Sequence, residues 1–213
     1  EGTHMENVKS GSIKYLRVVE SPEKRTFTQA SWNGQGQQAP GVNWHSFENK
    51  RVLGTVPVEV DGSVYFEAPS SKYLYFQLLD EKKKMVQSMR SGVIVHPGET
   101  NGCIGCHEDR LSVPPVSAKM PTAMRKKPAR LSETNTENPI FSYAHDVQPV
   151  FDAHCVKCHD FGKKAGNILL LAGDRNPYFN ASYIDIHLKK QITTVGGGPS
   201  QIQQAYSWGT HKS

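Results

Sequence analysis

The chain has 213 residues, 37% of them hydrophobic and 21% charged, and its 25 Lys and Arg against 20 Asp and Glu leave a formal charge of +5. That composition suits a globular protein of one large or two small domains, and no run approaches the roughly 18 to 20 apolar residues that a membrane-spanning helix needs. Much of the positive excess lies in Met124 to Arg130 (MRKKPAR). No aromatic side chain interleaves with those charges to stack on bases, so the run reads as a solvated linker beside Pro121 and Pro128, not as a nucleic-acid surface.

Residues 1–12 are set apart as a tag or leader. Glu1-Gly2-Thr3-His4-Met5 looks like a tag scar, no apolar secretory segment is visible beside it, and His4 is kept out of any ligand argument. From Ile13 to His96 short apolar runs alternate with polar residues: Ile13–Val19, Val52–Val60, Val64–Ala68, Tyr73–Leu79 and Gly92–His96. Val56, Val58 and Val60 occupy every second position, as a half-buried strand requires. Asp61-Gly62 predicts a hairpin turn into Val64, and Asp80 to Lys84 (DEKKK) a polar turn into Met85–Met89. The Gly- and Gln-rich stretch 33–41 reads as a surface loop. Residues 13–96 are therefore expected to form a small antiparallel β-sandwich. Residues 97–139 carry Pro114, Pro115, Pro121 and Pro128, which forbid long helices. From Tyr143 the period becomes helical, with Tyr143, Val147 and Phe151 on one face and a break expected at Pro149. A short apolar run at Ile168–Ala172, a helical or loop segment and Gly196-Gly197-Gly198 follow. No C-terminal helix is legible before Ser213, so residues 140–213 read as a truncated module, or one closed by something outside the chain.

Four cysteines fall in two pairs, Cys103-Ile104-Gly105-Cys106 and Cys155-Val156-Lys157-Cys158. Zinc sites built from two such pairs usually space them by about 15 to 20 residues, whereas the gap here runs from Cys106 to Cys155 and is rich in proline. A thioredoxin-like dithiol would open a helix in a βαβ setting, and nothing around either pair has that form. Each pair is followed at once by a histidine, His107 and His159. Histidine supplies only nine residues of the chain, and chance would place one after both pairs about once in 500 times. Thiols three positions apart can form thioethers to the two vinyl groups of one porphyrin, and the adjoining imidazole then lies under the iron. The expected cofactors are two covalently attached haem c groups, one on Cys103, Cys106 and His107 and one on Cys155, Cys158 and His159. Covalent haem attachment is completed outside the bacterial cytoplasmic membrane, so a periplasmic or cell-surface location is expected. The lack of further thiols agrees with that. The expected fold class is α+β: an antiparallel β-sandwich with an irregular haem-binding extension, followed by a small, mostly α cytochrome c-like module.

Leu53 to Arg90 (LGTVPVEVDGSVYFEAPSSKYLYFQLLDEKKKMVQSMR) together with Asn101 to Arg110 (NGCIGCHEDR) resembles the hydrazine synthase alpha-subunit family. Phe141 to Asp160 (FSYAHDVQPVFDAHCVKCHD) and Tyr206 to His211 (YSWGTH) resemble the cytochrome c part of the same family. The resemblance implies one haem on the β module and a second, six-coordinate haem on the following domain. It does not imply the synthase activity. In the family the first haem is catalytic and has a tyrosine ligand near its attachment motif. Here Glu108-Asp109-Arg110-Leu111-Ser112 follow His107, and no Tyr occurs before Tyr143. The family's N-terminal propeller and the other synthase subunits are also missing.

The distal ligands are less legible. For the second haem the candidates are His211, His145, His154 and His187. His211 is preferred because it lies where small cytochromes deliver a distal ligand and because it matches the family's YSWGTH segment. For the first haem the candidates are His45, His96, Met85, Met89, Met120 and Met124. His45 is preferred, with an open sixth position as its rival. Electron transfer to redox partner proteins, within a larger parent protein, is the leading functional expectation. A haem enzyme with an open first haem, fed by the second, is the alternative. Glu108, Asp109 and Arg110 would then move protons.

Overall fold

A computed structural model describes residues 8–22, 50–89, 92–105, 119–132, 140–176, 179–189 and 191. The chain divides into two compact units, the second beginning at Ile140. No helix among the described residues is long and apolar enough to cross a membrane.

The first unit is built on four antiparallel strands, β1 (Tyr15–Glu20), β2 (Arg51–Pro57), β3 (Leu74–Leu79) and β4 (Met85–Ser88), in the spatial order β2-β1-β3-β4. β3 and β4 are joined by the polar turn expected at 80–84, where Asp80 Oδ1 accepts the Lys84 N–H at 2.8 Å and Lys83 takes φ 58°. Successive residues of a strand face opposite sides of a sheet. Val18 and Val19 on β1 are nevertheless both buried, as are Leu74 and Tyr75 on β3, so the two central strands are covered on both faces. On β3, Leu78 packs toward Ile13 and Val86, joined there by Val8 and Val58. Glu20 closes the end of β1: it is buried and accepts from Arg51 of β2 at 3.1 Å and from Lys72 at 2.8 Å.

Of the six extended runs expected in 13–96, four form as strands close to their expected bounds. The other two do not: in the runs at 64–68 and 92–96 only single bridges are made, Phe66 to Ala129 and Val93 to Leu74. The turn at Asp61-Gly62 is present, with Glu59 N–H donating to Ser63 O and Gly62 N–H to Glu59 O. The chain leaving it does not return along β2, however. Asp61 Oδ2 accepts the Thr122 N–H at 2.7 Å, and Ser63 Oγ accepts the Ala123 N–H at 3.0 Å, so the turn is anchored to the 3-10 turn Thr122–Arg125. Val60, which the alternating pattern would half bury, is fully exposed. The described residues thus show one four-stranded sheet, backed by irregular chain where a second sheet was expected.

The described residues of the second unit form three short α-helices, α1 (Gln148–His154), α2 (Lys164–Ile168) and α3 (Ala181–Leu188). The break expected at Pro149 takes the form of a wide π-type turn, Tyr143–Val147, after which α1 starts with Pro149 in its first turn. A proline is tolerated there because the N–H it lacks would have had no helical partner. Leu171 and Ala172 of the expected apolar run are buried, with Ile186 of α3.

Candidate haem centre

α1 ends in the second motif. The N–H groups of Cys155 and Val156 both donate to Phe151 O, at 2.8 and 3.0 Å. Those of Cys158 and His159 donate to Cys155 O, at 3.0 and 2.9 Å. The motif is therefore one tight turn continuing the helix, and its outward carbonyls are capped: Lys163 Nζ donates to Lys157 O at 2.8 Å and Val156 O at 3.4 Å. Cys155 and Cys158 are free thiols, Cys158 exposed and Cys155 half-buried.

His159 is held from behind. Its Nδ1 lies 2.8 Å from Leu169 O. A carbonyl can only accept, so Nδ1 carries the proton, and in the neutral ring Nε2 keeps its lone pair for a metal. The acceptor is itself fixed on several sides. Leu171 N–H donates to His159 O at 2.9 Å. Asp185 Oδ2 accepts the Leu170 N–H at 2.6 Å, and Gln148 Nε2 donates to Leu171 O at 3.0 Å. Gln148 is buried; it also donates to Asp152 at 2.8 Å and accepts from Ser182 Oγ at 2.5 Å, and Ser182 in turn accepts from Tyr143 OH at 2.9 Å. Burial raises the Tyr143 phenol above its ordinary range, against the opposing pull of Ser182, so it stays a donor. Burial works against ionisation of Asp185, but the Leu170 N–H and Lys189 outweigh it and bring its carboxyl below the ordinary range.

Among the described residues no three His, Cys, Asp or Glu side chains converge on a point that could hold a bare ion. The donor set fits a porphyrin instead. It offers two free thiols three residues apart and one tautomerically fixed imidazole next to them. Large apolar side chains stand open on the flanking segments, with Val150 54%, Phe161 58% and Ile168 70% exposed. An apolar macrocycle would cover such side chains.

The first motif is only partly described. Cys103 is an exposed free thiol, while Cys106 and His107 lie outside the described residues, as do Glu108, Asp109, Arg110, His45 and His211. His187 lies on α3, but its side chain is outside the described groups. His145 is exposed on the π-type turn and its Nδ1 lies 2.9 Å from Asp146. His154 is exposed at the end of α1. His96 is exposed, with its backbone N–H donating to Glu99 at 2.7 Å. Met120 and Met124 are exposed and Met85 and Met89 half-buried. Sequence reasoning missed Leu169, Gln148, Ser182 and Asp185. Leu169 acts through its backbone, which leaves no mark in a sequence; the other three are ordinary polar residues until the fold brings them to one segment.

Residues 11–108 match the family described as hydrazine synthase alpha subunit middle domain. Hydrazine synthase subunit alpha of Kuenenia stuttgartiensis is 27% identical over 108 residues, a stretch that spans 47% of this chain and 13% of that protein. A solved structure of Kuenenia stuttgartiensis hydrazine synthase aligns with a TM-score of 0.59 at 18% identity, over 86% of this chain and 30% of the solved chain, and is similar in fold. The chain thus spans a minor part of the proteins it matches. Over residues 11–108 it is similar to the hydrazine synthase alpha subunit middle domain, and its fold is similar to that of the solved synthase.

Proposed function

We propose that this chain is a dihaem c-type cytochrome that passes electrons outside the cytoplasm, as part of a larger parent protein. The observation that carries the reading is the Nδ1–H of His159 donating to Leu169 O directly after two free thiols. That bond leaves Nε2 of the imidazole as the one ring nitrogen able to face a metal. Haem bound there supplies one-electron chemistry at its iron. Cys155 and Cys158 would hold it covalently and His159 would be its proximal ligand. Val150, Phe161 and Ile168 would exclude water from its faces. Cys103, Cys106 and His107 would hold the second copy of the cofactor. His211 is the distal ligand proposed for the haem at Cys155, and His45 for the haem at Cys103. The partners are redox proteins and the remaining domains of the parent, and the place is the periplasm or cell surface. The β unit then serves as platform for the first haem, and residues 140–213 as the cytochrome c-like module.

The test is the visible spectrum of the protein, matured in a host that attaches haem c and reduced with dithionite, before and after carbon monoxide. Two covalent haems that both ignore the gas establish electron transfer with protein ligands on each iron. A shift in about half the haem would replace it by the enzyme reading, with the first haem as the open site. Absence of covalent haem would refute both. His211→Ala should turn the second haem from low-spin to high-spin, and an unchanged spectrum would reject that ligand.

A further inference from the structure

The acceptor of the His159 proton and the donor to Asp185 belong to one peptide group. Leu169 contributes its C=O, 2.8 Å from His159 Nδ1, and Leu170 its N–H, 2.6 Å from Asp185 Oδ2. A carboxylate on the N–H of an amide draws electron density toward the oxygen of the same amide, and hydrogen bonds in such a chain strengthen one another. We propose that Asp185 is a positioning residue that acts on His159 through this single peptide bond, raising the basicity of the imidazole and lowering the reduction potential of the haem it ligates. The inference rests on the proposed haem at Cys155, Cys158 and His159.

A carboxylate that bonds a ligating histidine directly is a common way to orient the ring and enrich its electrons. Here the carboxylate lies one peptide further away, and the chain on both sides of the intervening group is held: Leu169 N–H donates to Ala165 O, and Leu171 N–H and Leu171 O are bonded by His159 O and Gln148 respectively. The strength of the relay is adjustable, because Lys189 lies 2.8 Å from the same Oδ2 atom that accepts from Leu170 and competes for its charge. Asp185 projects from α3, which supplies no ligand in the proposed attachment. Its role is to the imidazole and not to the iron.

The test uses the full haem-loaded chain and two readouts, the reduced-to-oxidised ratio of the second haem at a fixed applied potential and the proton resonance of His159 Nδ1–H in the reduced protein. Asp185→Asn should raise the ratio by up to about tenfold, equivalent to 59 mV for one electron, and move the resonance upfield. Asp185→Glu should recover part of both. Lys189→Met, at a partly exposed side chain, should lower the ratio and move the resonance downfield. A Lys189→Met protein with the wild-type resonance overturns the relay, whether or not Asp185→Asn folds. So does an Asp185→Asn protein whose ratio changes while its resonance stays, since that is a through-space charge effect. Peptide mass analysis separates the two proposals. Haem missing from Cys155 and Cys158 removes both, whereas haem in place with an unmoved resonance removes only the relay.

Discussion

Asp61 shows how much one side chain can organise. Its Oδ1 accepts from the Ser63 hydroxyl at 2.6 Å and from the Ser63 N–H at 3.2 Å, while Oδ2 accepts the Thr122 N–H. The Ser63 hydroxyl, followed by Thr122, holds its carboxyl well below the usual carboxylate range. A group whose folded pKa is depressed stabilises the fold above its unfolded value of about 3.9, and that contribution is lost as pH falls through the folded value. Asp61→Asn should therefore lower stability in urea unfolding at pH 7, with the gap from wild type closing as the pH is taken below about 4. A gap independent of pH would mean that the carboxylate charge plays no part. Gly166 is constrained in another way. A Cβ there would lie 1.9 Å from Asp160 O, which follows the histidine of the motif. Backbone cannot yield as a flexible side chain can, so Gly166→Ala should cost about 1–3 kcal/mol, visible as a lowered Tm.

At the scale of elements, position rather than length decides what each piece does. β2 carries a bulge: Val18 pairs with Gly54 and Val19 with Val52, leaving Leu53 extra. Gly54 has φ +151°, and a Cβ on it would stand 2.5 Å from Ser132 O. That close approach lets Ser132 bond Thr55 through its N–H and its hydroxyl, which covers an edge that would otherwise be open to pairing. α1, α2 and α3 are too short to be stable alone. α1 is tied to the segment 169–173 by Gln148 and α3 by Ser182 and Asp185, while α2 runs directly into that segment. Gln148→Leu takes the acceptor from the buried Ser182 hydroxyl, which keeps the Tyr143 OH as a donor, and takes the side-chain donor from the Leu171 carbonyl, at about 1–3 kcal/mol for each such group. The expected total is about 2–6 kcal/mol in urea unfolding followed by helical circular dichroism. A loss below about 1 kcal/mol would show that water replaces the amide.

At the scale of the whole molecule, the two attachment motifs belong to different units, since Cys103 precedes Pro139 and Cys155 follows it. On the proposed function each unit loads its own haem. Replacing Cys155 and Cys158 by Ser should leave one covalent haem per chain, and replacing Cys103 and Cys106 should leave the other, by intact mass. Loss of both from either double variant would show that one attachment depends on the other. The order of elements, the polar turn at 80–84 and the two Cys-x-x-Cys-His motifs were all legible in the residues, because strand alternation, turn chemistry and thioether spacing are local. The runs at 64–68 and 92–96 were misread as strands because alternation reports a half-buried extended chain but not its partner. Asp61 and Ser63 divert the first of these to residues 122–123, some 60 positions away, and the second bonds to residues 71–74 through the backbone of Val93 and Val95 alone among the described residues. For the same reason the residues behind His159 were invisible: a histidine after two cysteines marks a candidate ligand by itself. Which oxygen accepts from its Nδ1–H, and which carboxylate stands on the same peptide, depends on His159 and Asp185 both reaching the Leu169–Leu170 peptide, and only the tertiary structure brings them together.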